Sequence, residues 1–236
     1  MEFKSYCSSS AGNLYELTDS AGASILLECG VSHRKLRKLT GFRSDYQGCL
    51  VTHSHQDHGK AAKQLMLDGM ELYMSHGTAM ELGLEHVNIV KHNDEFAVGD
   101  FLIKAFNVYH DTDEPLGWLI RSKVDGDILV FATDTVNLRY KFPGINLLAI
   151  EANYDKDLLA EREHVPDKVR HRVTNTHMEI SVLCDYLRTL DLSNCREVYL
   201  LHLSDGQSNA RDFEERVRKC VPEHTRVTVC PKENKK

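Results

Sequence analysis

The stretch Thr52-His53-Ser54-His55-Gln56-Asp57-His58-Gly59 places three imidazoles and one carboxylate within six residues. An apolar segment, 48–52, precedes it and has the pattern of a buried strand, and a helical pattern follows at 60–67. A loop between a strand and a helix can aim several ligands at one point. Neutral imidazole and carboxylate groups bind zinc and similar divalent ions. The alternative, a solvated histidine-rich turn, fits the strand–loop–helix context poorly, so the stretch predicts a metal site.

The H-x-H-x-D-H spacing resembles the metallo-β-lactamase fold superfamily. The superfamily pattern continues with a histidine after a later strand, an aspartate at a strand end and a last histidine at another strand end. This sequence has matching residues in that order: His110 after the apolar run 101–109, Asp134 after 128–133 and His202 after 197–201. Each of them alone would be an ordinary strand-end or turn residue. Their order behind the histidine loop makes them candidate ligands.

The resemblance implies a dinuclear site with two divalent metal ions per chain. Zinc is the first expectation, with manganese or iron as alternatives. One ion would be held by His53, His55 and His110, and the other by Asp57, His58 and His202, with Asp134 between them. The implied nucleophile is a hydroxide shared by both ions, which Asp57 would ligate and orient, giving Asp57 a catalytic role.

Length and composition agree with a single α/β domain over residues 1–236, a four-layer αββα metallo-β-lactamase sandwich. The order of predicted elements is strands first and then strand–helix units, and 42% of the residues are hydrophobic. No run of 18 apolar residues indicates a transmembrane helix, and the first residues lack the apolar core of a signal peptide. The seven cysteines are scattered without a C-x-x-C pair. We therefore expect reduced thiols, a cytoplasmic location and no membrane partner.

The net charge of −6 argues against broad affinity for nucleic acid, although local basic clusters remain. One cluster is 33–38, and the other comprises Arg162, Lys168, Arg170 and Arg172. They are either solvated helix faces or contacts to a polyanionic substrate. The sequence makes no prediction about the oligomeric state.

Several features narrow the resemblance to one branch. Asp134 and a final histidine distinguish the chain from the zinc β-lactamases, which usually lack the bridging carboxylate. Only 34 residues follow His202, so we expect no helical domain of the glyoxalase II type, and neither a long Gly/Pro-rich arm nor a β-CASP insertion is visible. The segments 8–15, 27–32, 52–58, 151–155 and 202–209 are similar to motifs of the WalJ/YycJ-type family of small single-domain exonucleases. This resemblance implies a metal-dependent phosphodiesterase that acts as a DNA exonuclease.

Three positions depart from that family pattern and leave the substrate open. Glu28 replaces an aspartate, Tyr154 replaces a histidine, and Glu179 replaces a serine. Glu179 would repel phosphate if it faced the site, or it begins the next helix, where a carboxylate suits the helix dipole. The alternatives are a phosphodiesterase for small molecules or cyclic nucleotides, and a thioesterase or lactonase similar to glyoxalase II. A binding protein without catalytic activity is the weakest alternative, because the whole ligand set is present.

His177 is a candidate catalytic residue outside the ligand set. In related phosphodiesterases, a histidine in this segment lies near the metals and protonates the leaving oxygen. The ordinary pKa of histidine permits this role near neutral pH. The alternative is a histidine at a helix start that bonds to local backbone. No substrate-binding residue is predicted.

Overall fold

The structure is a computed structural model, and it describes residues 1–162 and 165–233. The described chain forms two compact units. The first unit comprises 1–107, 112–127 and 231–233, and the second comprises 108–111 and 128–230. The prediction of one domain over 1–236 stays a prediction.

The first unit contains a six-stranded sheet in which the strands follow chain order. The first three strands are antiparallel, and the remaining ones are added in parallel. The strands are β1 (Glu2–Ser9), β2 (Gly12–Thr18), β3 (Ser24–Leu27), β4 (Cys49–Leu50), β5 (Leu72–Met74) and β6 (Asn88–Ile89). Parallel neighbours need crossover connections. The helices in these crossovers are α1 (His33–Leu39), α2 (Gln56–Gly59), α3 (Ala62–Leu67) and α4 (His76–Leu82).

The rest of the first unit is an antiparallel meander. Its strands are β7 (Glu95–Val98), β8 (Phe101–Asn107) and β9 (Leu116–Ser122). In β8, the buried positions largely alternate with exposed or half-buried ones, as expected for a strand with one covered face.

The second unit contains four parallel strands in the order β10, β11, β12, β13. They are β10 (Ile128–Ala132), β11 (Leu147–Glu151), β12 (Glu197–Leu201) and β13 (Arg226–Val229), and the helices are α5 (Lys156–Glu161), α6 (Asp167–Thr176), α7 (Ile180–Leu187) and α8 (Ala210–Arg218). Every residue of β11 and β12 is buried, as is typical of parallel strands covered on both faces. Because the strands are parallel, the segments that follow them emerge at the same edge of the sheet.

Two sequence predictions of secondary structure were wrong in detail. The helical pattern at 60–67 becomes α3, which begins only at Ala62, and a separate helical turn, α2, lies inside the histidine loop. The polar segment 153–175 has few apolar positions, and its sequence predicts an ordered loop or a short helix. The structure has two helices there, α5 and α6, with residues 163–164 outside the described part. Its apolar pattern is too weak to indicate helix. The start of α5 instead depends on Asp155, whose carboxylate accepts the N–H groups of Asp157 (2.8 Å) and Leu158 (3.1 Å).

Within the described residues, no helix is both long and apolar enough to cross a membrane. The seven cysteines are free thiols, and all but Cys220 are buried.

Candidate metal centre

In the first unit, the histidine loop leaves the end of β4 and turns into α2. His53 and His58 are buried, whereas His55 and Asp57 are half-buried. The ring centre of His53 lies 4.9 Å from that of His55 and 4.1 Å from that of His58. The helical turn closes through the His58 N–H, which donates to the carbonyl of His55 (2.9 Å). The rings of His55 and His58 therefore both lie close to the ring of His53.

Oxygen atoms behind the loop orient two of these imidazoles. Nδ1 of His53 lies 2.9 Å from the Thr52 hydroxyl, and Nδ1 of His58 lies 3.6 Å from a carboxylate oxygen of Glu28. Glu28 also accepts the Thr52 N–H (3.3 Å), so it holds the residue from which the loop starts. Metal-binding histidines typically have such an oxygen partner on the ring nitrogen that does not bind the metal. Burial raises the pKa of Glu28, while His58 and Thr52 act in the opposite direction.

Segment 28–30 approaches the loop so closely that one position requires glycine. A Cβ on Gly30 would lie 1.6 Å from the carbonyl oxygen of Asp57. The Cys29 N–H donates to the carbonyl of His58 (2.8 Å), which fixes the approach. Asn13 adds an amide N–H directed at the carbonyl of Asp57 (3.1 Å) and lies 3.0 Å from Nε2 of His58. The motif-like segments around Asn13 and Gly30 thus support the histidine loop.

In the second unit, polar residues gather at the ends of three parallel strands. Asp134 follows β10, Glu151 ends β11, and His202 follows β12. A carboxylate oxygen of Asp134 lies 2.7 Å from Nδ1 of His202. Asp134, Glu151, His177 and His202 each offer one ligand atom within 4.8 Å of the others. This group could hold a metal ion.

Glu151 is fully buried and connects the parts of this group. One of its oxygens lies 2.6 Å from Nδ1 of His177. The other accepts the N–H groups of Thr135 (2.8 Å) and Met178 (3.1 Å). Glu151 therefore fixes the residue after Asp134 and the residue after His177.

Glu151 and the neighbouring histidines shift each other's pKa. Burial raises the pKa of the Glu151 carboxyl, but the neighbouring imidazoles of His177 and His202 outweigh burial and lower it. Burial lowers the pKa of His177, but Glu151 and then Asp134 outweigh burial and raise it. Both shifts favour an ionised Glu151 beside a protonated His177.

His110 lies in the part of the second unit formed by 108–111. Its Nδ1 lies 2.8 Å from the carbonyl oxygen of Thr176, at the end of α6. Its Nε2 therefore points the other way and lies 3.5 Å from Asp134 and 3.2 Å from Asp111. A histidine held in this manner presents Nε2 to a metal.

The donor chemistry of both units fits divalent metal ions. The first unit supplies His53, His55, Asp57 and His58, and the second supplies His110, Asp134 and His202. Imidazole and carboxylate suit zinc, manganese and iron. Asp57 and His58 lie in the helical turn α2, the other five predicted ligands follow strand ends or lie in loops, and His177 lies beside the candidates of the second unit.

Sequence reasoning assigned no role to Glu151. The available signal was an acidic residue that closes the apolar run 147–151, because a buried carboxylate needs partners. Of the two alternatives for Glu179, the helix start is confirmed. Glu179 is the N-cap of α7, and its carboxylate accepts the N–H groups of Ser181 (2.8 Å) and Val182 (3.2 Å).

Comparisons with known proteins agree with these features. Residues 24–203 match the family model described as a β-lactamase superfamily domain. The chain is 26% identical to exodeoxyribonuclease YycJ from Bacillus anthracis over 226 residues, covering 86% of this chain and 83% of that protein. It is similar to the solved structure of the metallo-β-lactamase fold protein YhfI from Bacillus subtilis, with a TM-score of 0.69, 14% identity and 99% of each chain covered. A diphosphatase of the PhnP family is similar with a TM-score of 0.65 and 14% identity, over 95% of this chain and 83% of that one.

The family match and the similar structures confirm the predicted fold class and the predicted hydrolase family. The chain belongs to the β-lactamase superfamily and is a hydrolase of the metallo-β-lactamase fold.

Proposed function

We propose that this hydrolase is a dinuclear-metal phosphodiesterase that acts on DNA as an exonuclease. The observation that carries the proposal is the similarity to an exodeoxyribonuclease over 86% of the chain. The donor set supports it, because it includes a strand-end aspartate and a final histidine. A cytoplasmic location is part of the proposal, supported by seven cysteines without a C-x-x-C pair.

The proposed ligands divide into two sets with one shared residue. His53, His55 and His110 would hold one ion, Asp57, His58 and His202 would hold the second, and Asp134 would serve both. When bound, the two ions would lower the pKa of water and neutralise the charge that builds up on the phosphate oxygens. Zinc is the proposed metal, with manganese and iron as alternatives.

The residues of the second unit supply the proposed proton donor. Glu151 holds Nδ1 of His177, which leaves Nε2 of the same ring to carry a proton to the leaving oxygen. His177 lies beside the candidate ligands, with its ring centre 5.3 Å from that of His110 and 5.5 Å from that of His202. The oxygens of Glu151 also fix the backbone at Met178, so the imidazole is held by both its ring and its chain.

One observation favours a second candidate, a phosphodiesterase for small or cyclic nucleotides. The net charge of −6 opposes the approach of a long polyanion and affects a small diester much less. A thioesterase or lactonase is the third candidate, and it would use the same metals without needing a proton donor matched to an alkoxide.

Three substrates given to the metal-loaded protein distinguish these candidates. They are end-labelled linear DNA, bis-p-nitrophenyl phosphate and a glutathione thioester. We expect single nucleotides from DNA and slow turnover of bis-p-nitrophenyl phosphate. Preferential thioester cleavage would overturn the proposal, and hydrolysis of small diesters without release of nucleotides from DNA would replace it with the second candidate.

Matched variants assign any activity to the site. Asp134→Ala should abolish it. Asp185→Ala should not, because Asp185 is an exposed residue of α7 that pairs with Arg188. Equal activity of the two variants would show that hydrolysis arises elsewhere.

A further inference from the structure

We propose that Tyr109 and Arg139 form a stacking platform for a nucleobase of the substrate. The proposal rests on the proposed phosphodiesterase function and adds that the substrate strand is bound through its bases as well as its phosphates. The two residues lie in the second unit, and one peptide bond separates Tyr109 from the candidate ligand His110.

The side chains of the platform are accessible and already paired with each other. Tyr109 is 43% exposed, although most large aromatic side chains of this protein are buried. The guanidinium carbon of Arg139 lies 5.3 Å from the centre of the Tyr109 ring. This distance is within the range of a cation–π contact.

The backbone, rather than the side chain, holds Tyr109 in place. Its N–H donates to the hydroxyl of Thr135 (3.0 Å), and its carbonyl accepts the N–H of Val136 (3.1 Å). Both partners follow Asp134 directly in the chain. The Tyr109 ring thus projects from a segment whose backbone is held next to the candidate ligands His110 and Asp134. The ring itself forms none of these backbone hydrogen bonds.

The cations of the second unit differ in whether their charge is available to a substrate. Arg172 pairs with Asp111 (3.0 Å), and Arg170 donates to the carbonyl of Val165 (3.1 Å), so both have structural roles. Among the described residues, Arg139 forms no ion pair with a carboxylate. The charge of Arg139 is therefore available to an anion, while its planar guanidinium lies against the Tyr109 ring.

This combination fits a nucleobase joined to a phosphate. Single-stranded nucleic acids are bound by aromatic rings and arginine planes that stack on bases, with cations along the backbone. A thioester or a simple alkyl phosphate has no base to stack and would gain little from an exposed tyrosine. The platform would also offset the unfavourable net charge, because stacking does not depend on the charge of the whole protein.

Two labelled substrates isolate the stacking contribution. One is a single-stranded oligonucleotide, and the other is an oligomer of equal length in which abasic tetrahydrofuran units replace the nucleosides. The measured quantity is the ratio of kcat/KM for the two oligomers, obtained with the metal-loaded protein. Bis-p-nitrophenyl phosphate is assayed alongside as a report on the proposed phosphodiesterase activity itself.

We expect Tyr109→Leu to lower this ratio by about ten-fold to 100-fold, the range that loss of stacking on one base produces. Tyr109→Phe keeps the ring and should keep the ratio. Phe42→Leu is the matched control, because Phe42 is also an exposed aromatic beside an arginine, with Arg37 at 5.6 Å, but it follows α1 and adjoins no candidate ligand. Its ratio should equal that of the wild type.

Arg139→Gln provides a second test that does not depend on how well the Tyr109 variant folds, since Arg139 is exposed. It should lower kcat/KM for both oligomers and reduce the slope of log kcat/KM against log salt by about 0.7. An unchanged ratio in Tyr109→Leu, or an unchanged salt slope in Arg139→Gln, would overturn the platform. If the wild type hydrolyses neither oligomer nor bis-p-nitrophenyl phosphate, the proposed function fails and the platform fails with it.

Discussion

Replacement of His177 tests the proposed proton donor most directly. Its Nδ1 is held by Glu151, its ring centre lies 5.3 Å from that of His110 and 5.5 Å from that of His202, and its side chain is only 14% exposed. A general acid in this position contributes about 10²–10⁴-fold to the rate, which corresponds to roughly 3–5 kcal/mol in the activation barrier. We expect His177→Ala to lose that factor on DNA, whose leaving group is an alkoxide.

The expected loss depends on the leaving group. A nitrophenolate departs with little need for a proton, so the same variant should lose about ten-fold or less on bis-p-nitrophenyl phosphate. A role in binding or folding would reduce both activities equally. The ratio of the two losses therefore reports proton transfer, whereas either loss alone does not.

His177→Ala should also affect stability, and this effect must be distinguished from the loss of proton transfer. Removing the imidazole leaves the fully buried carboxylate of Glu151 with the N–H groups of Thr135 and Met178 and the more distant imidazole of His202 (3.5 Å). Loss of a charged partner for a buried group costs about 1–3 kcal/mol or more. His177→Asn avoids much of this cost, because its amide can donate to Glu151 but cannot supply a proton to a leaving oxygen. Both variants should then show the same dependence on the leaving group.

The assay compares kcat for both substrates at pH 7, with metal content measured by elemental analysis. His171→Ala is the control, since His171 is an exposed histidine of α6. Equal losses on the two substrates in His177→Asn would refute the role of a general acid. Loss of a metal ion in that variant would show that His177 is itself a ligand and would require a new assignment of the seven.

Three further predictions concern the metal ions and the stability of the fold. Protein purified without chelator should carry close to two equivalents of metal by elemental analysis, because the proposed ligands divide into two sets. A folded protein that contains no metal and gains no stability from added metal would refute the metal assignment. Asp134→Ala should lower turnover by orders of magnitude and release metal, whereas near-normal turnover would make Asp134 a simple turn residue. Asp155→Asn should lower the free energy of unfolding by about 1 kcal/mol at pH 7, because asparagine still caps α5 but loses the charge paired with Arg216. Burial raises the pKa of Asp155, but the helix N–H groups and Arg216 outweigh burial and lower the pKa below 3.8. In urea titrations, the difference in stability between wild type and variant should therefore be present above pH 3.8 and vanish as the pH falls further. A difference that persists in acid would refute the charge pairing.

The strand-end positions of the candidate ligands could be predicted from the sequence because each follows an apolar run that is long enough to indicate a buried strand. Parallel strands then place Asp134 and His202 at one edge of the sheet without any knowledge of distances. The role of Glu151 could not be predicted, because its partners Thr135 and His177 are 16 and 26 residues away and their contacts arise only in the folded unit. The extent of helix in α5 and α6 was underestimated for a different reason. Capping by Asp155 and backbone contacts of Arg170, rather than apolar periodicity, define this region.

Three of the six non-glycine residues with a positive φ among the described residues lie at strand ends of the candidate site. Glu28, Asp134 and His202 follow β3, β10 and β12, and all three have positive φ angles, of 63°, 44° and 53°. Such conformations cost non-glycine residues about 1–3 kcal/mol each, and they persist only where the surroundings hold them. Here the holding contacts are visible: the Thr52 N–H on Glu28, His202 on Asp134, and the Asn153 amide on the carbonyl of His202 (2.8 Å). A residue that continued the extended strand would point its side chain to one face of the sheet, whereas the left-handed backbone conformation turns it in another direction. These contacts therefore hold the three strand-end side chains in a fixed orientation, at a local cost in stability.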